Sequence, residues 1–389
     1  MKRIIPYMLV IAGFAAGCSP YVGDLATKSC SEATQASASS TRESALQILG
    51  DLTRQGVPGA VLSIQTPEAS WSVAQGLAKV EDKTPMALCH LQYLQSISKT
   101  YLAVCLLKLY EENKLDLDAP MTKYLPEKYS RYIDKPSTIT IRMLMNHTSG
   151  IPEYNSVPAY ITQLLQHPDR DFTAEDYLKY IDGKPLDFAP ASKYSYRNTN
   201  YVVLALIVDA ITGDHARYMQ EVIFTPLGLA NTFYRNDAHY LDYPQLVNTY
   251  WDRYSDGLLE NVSVLQRNNV RALIGDDGVV TTPEEALAFL KGLMQGKLLK
   301  PSTLDLMKSW ANDSKGNPTY GLGLDYGKFD GHTGYGHSGG GLGAGCQLYY
   351  FPEKDTYMFV AINLGTVTES PLHKQTTAAL EKLYKLLLD

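Results

Sequence analysis

The chain has 389 residues, of which 45% are apolar and 20% charged, so it is long enough to bury a large hydrophobic core. Its formal net charge at pH 7 is −6, and the sequence contains no block of basic residues. Proteins that bind nucleic acids carry a basic patch or stripe on their surface. The charge distribution therefore argues against nucleic acid as a partner.

The N-terminal segment is typical of an export signal. Residues 1–3 carry two positive charges, and the apolar stretch 4–16 is too short to span a bilayer as a mature helix. Ala15-Ala16-Gly17-Cys18 resembles the cleavage site of bacterial lipoproteins. We therefore predict a lipoprotein signal peptide over residues 1–17 and lipidation of Cys18. Ordinary secretion, with cleavage near Ala16, is the alternative.

These features predict a location in the cell envelope, as a periplasm-facing or surface lipoprotein whose lipid anchor lies in a membrane. We expect the outer membrane, because Ser19 rather than aspartate follows the cysteine. Residues 18–45 are predicted to be a flexible tether, since 31–44 is rich in Ser, Thr and Ala and has no apolar period. One folded domain is expected over 46–389.

The cysteines leave the disulfide state open. Exported chains form disulfides, but Cys30 falls in the predicted tether and Cys105 in a core-like helix. For Cys89, Cys105 and Cys346, a buried free thiol is as plausible as a disulfide. No H-E-x-x-H or C-x-x-C spacing occurs, so we predict no metal and no cofactor.

The folded domain is predicted to begin with a β-hairpin over 59–66 and 69–76, and strands return near the C-terminus before an amphipathic helix over 372–388. The N- and C-terminal parts are therefore expected to share one antiparallel sheet covered by helices. The middle of the chain is expected to form a mostly helical lobe. The predicted C-terminal strands are 320–326, 345–351 and 357–364, and the predicted lobes are 46–110 with 270–389 (sheet) and 111–269 (helical).

Ser96-Ile97-Ser98-Lys99 is the most informative segment, because it opens a buried helical run over 101–110. Residues i and i+3 of a helix lie on one face, so Lys99 can accept the proton of the Ser96 hydroxyl. A helix N-terminus also offers free backbone N–H groups to a developing oxyanion. A capping serine followed by a surface lysine is the non-catalytic alternative.

Two later segments carry further candidates. Tyr196-Arg197-Asn198 lies on a loop that enters an apolar helical run, and Gly336-His337-Ser338-Gly339-Gly340 lies in a glycine-rich strand region. Together with Ser96 and Lys99, these segments resemble the S-x-x-K, Y-x-N and K/H-x-G motifs of the serine β-lactamase-like family. That family contains class C β-lactamases, DD-peptidases and esterases. Segments 139–152 and 275–285 resemble its connecting motifs, so the resemblance covers about residue 48 to the end.

The resemblance implies an α+β fold (an α/β sandwich), with an antiparallel sheet flanked by helices and a mostly helical lobe. It implies a catalytic site at the seam of the two lobes. There Ser96 is the nucleophile, Lys99 and Tyr196 relay its proton, and Asn198 orients Lys99 and the substrate. The backbone N–H groups of Ser96 and Gly340 form the oxyanion hole. His337, Ser338 and Gly339 complete the expected substrate-binding wall.

His337 is the informative departure from class C β-lactamases, which carry lysine at this position to hold the substrate carboxylate. The family's DD-peptidases and several esterases carry histidine. We therefore predict an exported serine hydrolase acting on an ester, amide or D-amino-acid peptide through a Ser96 acyl-enzyme. A class C-like β-lactamase and a non-catalytic envelope binding protein are the alternatives. The expected partner is a small-molecule or peptide substrate, and we expect a monomer.

Two other segments imitate catalytic motifs. Tyr234-Arg235-Asn236 is a second Y-x-N, which we interpret as structural because it follows a turn typical of the family. The glycine-rich segment 336–340 also satisfies G-x-S-x-G, the nucleophile elbow of α/β-hydrolases. That elbow needs a buried strand before the serine and a helix after it. We expect neither, because 331–335 does not read as a buried strand and 341–345 is too rich in glycine for a helix.

Overall fold

The computed structural model describes residues 23–30, 39–236 and 238–389. The predicted lipidation residue Cys18 and the predicted signal peptide lie outside the described residues. No helix within the described part is both long and apolar enough to cross a membrane. The helices are α1 (Ser40–Arg54), α2 (Ser98–Glu111), α3 (Glu127–Ser130), α4 (Ile141–Met145), α5 (Pro158–Gln166), α6 (Ala174–Lys179), α7 (Asn198–Thr212), α8 (His215–Met219), α9 (Thr225–Leu227), α10 (Ser263–Ala272), α11 (Pro283–Met294), α12 (Pro301–Met307) and α13 (Pro371–Leu388).

A large sheet forms the base of the structure. Across the described ranges it has nine strands in the order β3-β2-β1-β14-β13-β12-β11-β10-β9, and the neighbouring strands pair antiparallel. Ala60 of β1 lies opposite Ile362 of β14, so the two ends of the domain meet at the centre of the sheet. This confirms the predicted fold class. The strands are β1 (Gly59–Gln65), β2 (Ser70–Lys79), β3 (Thr84–Pro85), β4 (Gln92–Tyr93), β5 (Thr232–Phe233), β6 (Tyr250–Trp251), β7 (Glu260–Asn261), β8 (Val280–Thr281), β9 (Ala311–Asn312), β10 (Pro318–Tyr320), β11 (Asp325–Phe329), β12 (His332–Gly340), β13 (Gly345–Phe351) and β14 (Thr356–Ile362).

The sheet is buried on both faces at its centre, and every residue of β14 is buried. Successive side chains of a strand point to opposite faces. Met358 and Val360 accordingly pack into the cluster under α1 and α13, whereas Phe359 and Ala361 pack into the main core with α2 and α11. This double burial explains why β14 reads as a continuous apolar run rather than an alternating one.

A three-stranded sheet, β4-β8-β5, connects the serine segment to a distant part of the chain. The β4 strand ends two residues before Gln95, and the β8 strand begins two residues after Gly278. Leu94 N–H donates to the Val279 carbonyl at 3.0 Å, and Val279 N–H donates to Ser98 Oγ at 3.0 Å. This pairing brings residues 276–277 against the start of α2, which the sequence analysis did not anticipate.

The predicted tether over 18–45 is wrong in two places. Helix α1 begins at Ser40, where the side chain of Ser39 caps it by accepting from Arg42 N–H. Residues 23–30 lie against the domain, because their backbone groups pair with strand β7 and with the loop that contains Pro244. Gly23 N–H donates to the Asn261 carbonyl at 2.9 Å, and Lys28 N–H donates to the Pro244 carbonyl at 2.8 Å.

Cys30, expected in the tether, is bonded to Cys89, with the two Cα atoms 6.3 Å apart. The disulfide is possible because residues 23–30 follow the surface of the domain to this point. Cys105 and Cys346 are buried free thiols. Composition could not show this pairing, because the segment 23–30 is held by contacts to distant residues: backbone hydrogen bonds, the buried Thr27 hydroxyl and the packing of Leu25 against the core.

Residues 331–335 were expected not to form a buried strand, and this is wrong for 332–335, which open strand β12. The strand continues through Ser338 and pairs with β11 on one side and β13 on the other. Glycine is required at position 336 of this strand, because a Cβ there would lie 1.9 Å from the Leu348 carbonyl oxygen of β13. Ser338 therefore lies inside a strand, and no nucleophile elbow exists at this position.

Candidate active site

Ser96 lies in a short 3₁₀ turn, Gln95–Ile97, that runs directly into α2. Gln95 takes a left-handed backbone conformation with φ of 49°, which is uncommon for a residue with a side chain and turns the chain sharply before the serine. The side chain of Ile97 is fully buried and anchors the turn. Ser96 is thereby held at the start of α2, on the wall of a cavity.

Lys99 is the second residue of α2, three residues after Ser96, and it is fully buried. Its Nζ donates to Ser96 Oγ at 2.9 Å and to the backbone carbonyl of Asp276 at 2.6 Å. Burial lowers the pKa of Lys99 to about 8, although the nearby carboxyl groups of Asp276, Asp277 and Glu153 favour its charged form. An amine with this pKa at hydrogen-bond distance from a hydroxyl can accept its proton near neutral pH.

Tyr196 is the second candidate for proton transfer. Lys99 Nζ lies 5.1 Å from the centroid of its ring. Its hydroxyl is buried, and no atom of the described residues meets the distance and angle of a hydrogen bond to it. Burial raises the pKa of Tyr196 well above its usual value, and Ser96, as a hydrogen-bonding neighbour, acts in the opposite direction. The Tyr196 hydroxyl is therefore close to Ser96 and otherwise unengaged among the described residues.

Asn198 begins α7, and its side chain lies on the cavity wall. Its backbone N–H donates to the carboxylate of Glu153. The expected contact between the Asn198 side chain and Lys99 is absent among the described residues, where Lys99 is held by Ser96 and the Asp276 carbonyl instead. Asn198 thus borders the cavity without holding the lysine, whereas the carbonyl of Asp276 accepts from it.

His337 does not line the cavity, contrary to expectation. Its side chain is only 3% exposed, and both ring nitrogens have partners. Nδ1 faces the Ser338 carbonyl, which can only accept, so Nδ1 carries the proton and Nε2 accepts from the Tyr320 hydroxyl at 2.8 Å. Burial, with Lys99 nearby, lowers the pKa of His337 to about 3. The imidazole is therefore a neutral support behind Tyr196, with the two rings 6.2 Å apart.

The end of β12 packs tightly against the serine turn. A Cβ at Gly339 would lie 2.4 Å from the Leu94 carbonyl oxygen and 2.8 Å from Gln95 Cβ, so only glycine allows this approach. Gly340 lines the same cavity as Ser96. Ser338 and Gly339 line a separate cavity of about 350 Å³ that also includes residues of β13, β14 and α13. Of the predicted strand residues, Gly340 alone borders the serine's cavity.

Several functional candidates were missed in the sequence analysis. Asp276 and Asp277 are buried beside Lys99, and burial raises the pKa of their carboxyl groups to about 6 and about 7. Tyr154 donates to Asp276 Oδ2 at 2.8 Å. The signal was available in the segment 275–285, because Asp277 stands there where the family's pattern has glycine and a second acidic residue, Asp276, precedes it.

His147, in the segment 139–152, supports the loop that carries Tyr196. It has a left-handed backbone conformation with φ of 59°, and its Nδ1 accepts from Arg197 N–H at 3.2 Å. The His147 ring lies 4.3 Å from the Tyr196 ring, measured between centroids. It therefore positions the tyrosine from behind.

The second Y-x-N motif has no place in this site. Tyr234 is fully buried, and its hydroxyl accepts from Gly275 N–H at 2.8 Å and contacts His215 Nε2 at 2.9 Å. It holds the loop before Asp276, as expected for a structural residue.

Among the described residues, Asp209, Asp214 and His215 have spacing compatible with a metal ion. Asp209 already accepts from His215, and Asp214 caps α8, so these groups are engaged in structural contacts.

The cavity beside Ser96 has a volume of about 410 Å³. The surface of its wall is largely apolar and aromatic, and it also carries polar groups. The aromatic and aliphatic part includes Tyr154, Tyr160, Ile161, Leu164, Leu165, Trp251, Leu273, Leu342 and Val367, and the polar part includes Gln95, Ser96, Asn155, Asn198, Gln266, Asn269, Asp276 and Asp277.

Comparison with solved structures supports the fold. The D-amino acid amidase from Ochrobactrum anthropi SV3 superposes with a TM-score of 0.78 at 23% identity, covering 90% of this chain and 99% of that chain. A D-stereospecific amidohydrolase from Streptomyces sp. superposes with a TM-score of 0.72 at 25% identity, covering 83% and 94%.

Sequence comparison identifies the family. The esterase EstB of Burkholderia gladioli is 34% identical over 163 residues, which are 40% of this chain and 41% of that protein. The alignments to curated relatives span 36–41% of the length of those proteins. The family model described as Beta-lactamase matches residues 42–381, which is most of the chain, and the chain therefore belongs to the Beta-lactamase family.

Proposed function

We propose that the protein hydrolyses amides or esters through an acyl-enzyme formed on Ser96. One observation carries the proposal: Lys99 Nζ lies 2.9 Å from Ser96 Oγ, is fully buried and has a pKa lowered to about 8. A buried lysine without a chemical role is costly, since its ammonium loses hydration. Here the same burial produces an amine that can activate the neighbouring hydroxyl.

The reaction proceeds in two halves. Neutral Lys99 takes the Ser96 proton as Oγ bonds to the substrate carbonyl carbon, and the backbone N–H groups of Ser96 and Gly340 stabilise the oxyanion. The bond to the leaving group breaks, and the leaving amine or alcohol receives the proton through Tyr196. Water then attacks the acyl-enzyme, giving its proton to the same relay, and the acid product departs as Ser96 regains its hydrogen.

A peptidase, amidase or esterase is favoured over a β-lactamase. In class C β-lactamases a lysine occupies the His337 position and holds the substrate carboxylate. Here the imidazole is buried, neutral and bonded to Tyr320, so it offers no positive charge to a carboxylate. Two similar proteins whose names describe action on D-amino-acid amides or D-configured substrates, and the esterase EstB, support this choice.

The proposal includes export and a lipid anchor at Cys18. The Cys30–Cys89 disulfide supports export, because such bonds persist in oxidising compartments. We propose a cell-envelope lipoprotein, facing the periplasm or the surface and anchored in the outer membrane. Changing Cys18→Ser should move the mature protein from the detergent phase to the aqueous phase, or leave it unprocessed. Unchanged detergent partitioning would contradict the anchor.

Covalent labelling tests the catalytic proposal against a non-catalytic binding protein of the same fold. A fluorophosphonate probe should label the wild type at Ser96, and Ser96→Ala should lose labelling and turnover while keeping its circular dichroism spectrum. Ser338→Ala is the matched control, since Ser338 lies outside the serine's cavity, and it should be labelled like the wild type. Full labelling of Ser96→Ala would overturn the assignment.

A further inference from the structure

The cavity beside Ser96 contains buried polar atoms that have no hydrogen-bond partner among the described residues. They are Gln95 Nε2, Gln266 Nε2 and Asp276 Oδ1. These side chains are only 2%, 1% and 3% exposed, and all three residues line the cavity. Buried polar groups in native proteins are nearly always satisfied, because an unmade hydrogen bond costs free energy. Three such atoms around one cavity point to a polar ligand that supplies their missing hydrogen bonds.

The charges around the cavity specify part of that ligand. Asp276, Asp277 and Glu153 all act electrostatically on Lys99, so two buried carboxyl groups and the partly buried Glu153 act on one amine. His147 and His337 also face this group, and burial keeps both imidazoles neutral by lowering their pKa values. The cluster therefore has more acidic groups than positive partners. It can be balanced either by protons on the carboxyl groups or by a second cation.

The positions of the carboxyl groups distinguish which of them can meet a ligand. Asp276 and Asp277 line the cavity, whereas Glu153 does not and accepts instead from the backbone N–H groups of Asn198 and Asn155. Asp276 uses Oδ2 to accept from Tyr154, which leaves Oδ1 unpartnered. Asp277 accepts at Oδ1 from the adjacent Gly278 N–H. Both aspartates thus retain acceptor capacity at the cavity.

We propose that Asp276 and Asp277 bind a positively charged amino group of the substrate. The substrate class is an amide or ester that carries an ammonium group near the scissile carbonyl and an apolar group for the aromatic and aliphatic wall. The free N–H groups of Gln95 and Gln266 donate to oxygen atoms of the same molecule. The proposal deepens the function proposed above, because it rests on Ser96 being the nucleophile.

The test uses a neutral reporter and a matched pair of inhibitors. The p-nitrophenyl ester of 3-phenylpropanoic acid reports turnover, while 2-phenylethylammonium and 2-phenylethanol compete for the cavity with the same ring and chain length. We expect the cation to bind about tenfold to a hundredfold more tightly than the alcohol, as for a charge-assisted hydrogen bond to a buried carboxylate. In Asp277→Asn and Asp276→Asn, the affinities for the cation and the alcohol should differ by no more than about threefold.

Asp325→Asn is the matched control. Asp325 also carries a carboxyl group whose pKa desolvation raises to about 6, but it is only partly buried, accepts from Tyr349 and does not line the cavity. It should keep the preference for the cation. Equal affinity of the wild type for the two inhibitors would overturn the proposal even if the aspartate variants failed to fold. So would an undiminished preference in both aspartate variants.

The two proposals fail differently. If the wild type neither hydrolyses the ester nor reacts with the fluorophosphonate, the proposed function is wrong. Titration calorimetry of the two inhibitors then still measures whether the cavity prefers the cation. If the ester is hydrolysed but the inhibitors bind alike, the hydrolase stands and the ammonium site is overturned.

Discussion

The pH dependence of acylation tests whether Lys99 is the general base. Burial lowers the pKa of Lys99 to about 8, so its neutral fraction is about one hundredth at pH 6 and about one half at pH 8. If the neutral amine takes the Ser96 proton, kcat/KM for a neutral ester should rise about fiftyfold between these pH values and level off above about pH 9. A lysine with an ordinary pKa near 10.4 would still give about a tenfold rise per pH unit at pH 9.

Neighbouring charges make the direction of a second shift predictable. An ionised Asp277 favours the ammonium form of Lys99 and so raises the pKa of the lysine. Asp277→Asn removes that charge, so the pKa of Lys99 should fall and the acidic limb of the profile should move to lower pH. The expected displacement is on the order of one pH unit, because charges several ångströms apart at an effective dielectric near 20 interact by about 1–4 kcal/mol.

The assay is the burst of p-nitrophenol release from a neutral ester, measured from pH 5.5 to 10 at constant ionic strength. Lys99→Ala should lose most of the rate together with the limb near pH 8. Lys108→Ala is the matched control, since Lys108 lies on the same helix and pairs with Glu111. Its profile should match the wild type. A rate that is level from pH 6 to 8, or still climbing tenfold per unit above pH 9, would refute the assignment of Lys99 as base.

Two further changes test the packing around the site. Gly339→Ala places a Cβ 2.4 Å from the Leu94 carbonyl oxygen, so β12 must move from the serine turn and kcat/KM should fall by about tenfold to a hundredfold. Gly331→Ala, which has open space at a left-handed backbone position, should cost only stability, and equal rates in both variants would contradict the argument. Cys30→Ser should lower the free energy of unfolding by about 2–4 kcal/mol in urea titrations, and an unchanged midpoint would show that the disulfide adds no stability.

Much of the fold was predictable because its signals are local. The hairpin predicted over 59–66 and 69–76 is β1 and β2, and the strand predicted over 345–351 is β13 with the same bounds. The predicted strand over 320–326 is instead split by a turn into β10 and β11. Gly323 lies at this turn with φ of 81°, packed where a Cβ would lie 2.2 Å from the Ala103 Cβ of α2. The packing of this turn against α2 depends on a distant helix that a local pattern does not reveal.

The sequence by itself determined the chemistry that the site can perform. The spacing of Ser96 and Lys99 on a helix start is enough to place a hydroxyl and an amine together, because helix geometry is set by the backbone alone. The glycine of the motif around Gly339 also has a clear physical reason, since a residue without a side chain is needed where strand β12 meets the serine turn.

Only the tertiary structure decided the surroundings of that chemistry. The β4–β8 pairing brings Asp276 and its backbone carbonyl to Lys99 across 177 residues, and burial turns His337 into a neutral partner of Tyr320. Both outcomes depend on desolvation and on contacts between distant segments. A side chain's pKa and hydrogen-bond partners follow from what the folded chain places around it, and no local pattern of residues contains that information.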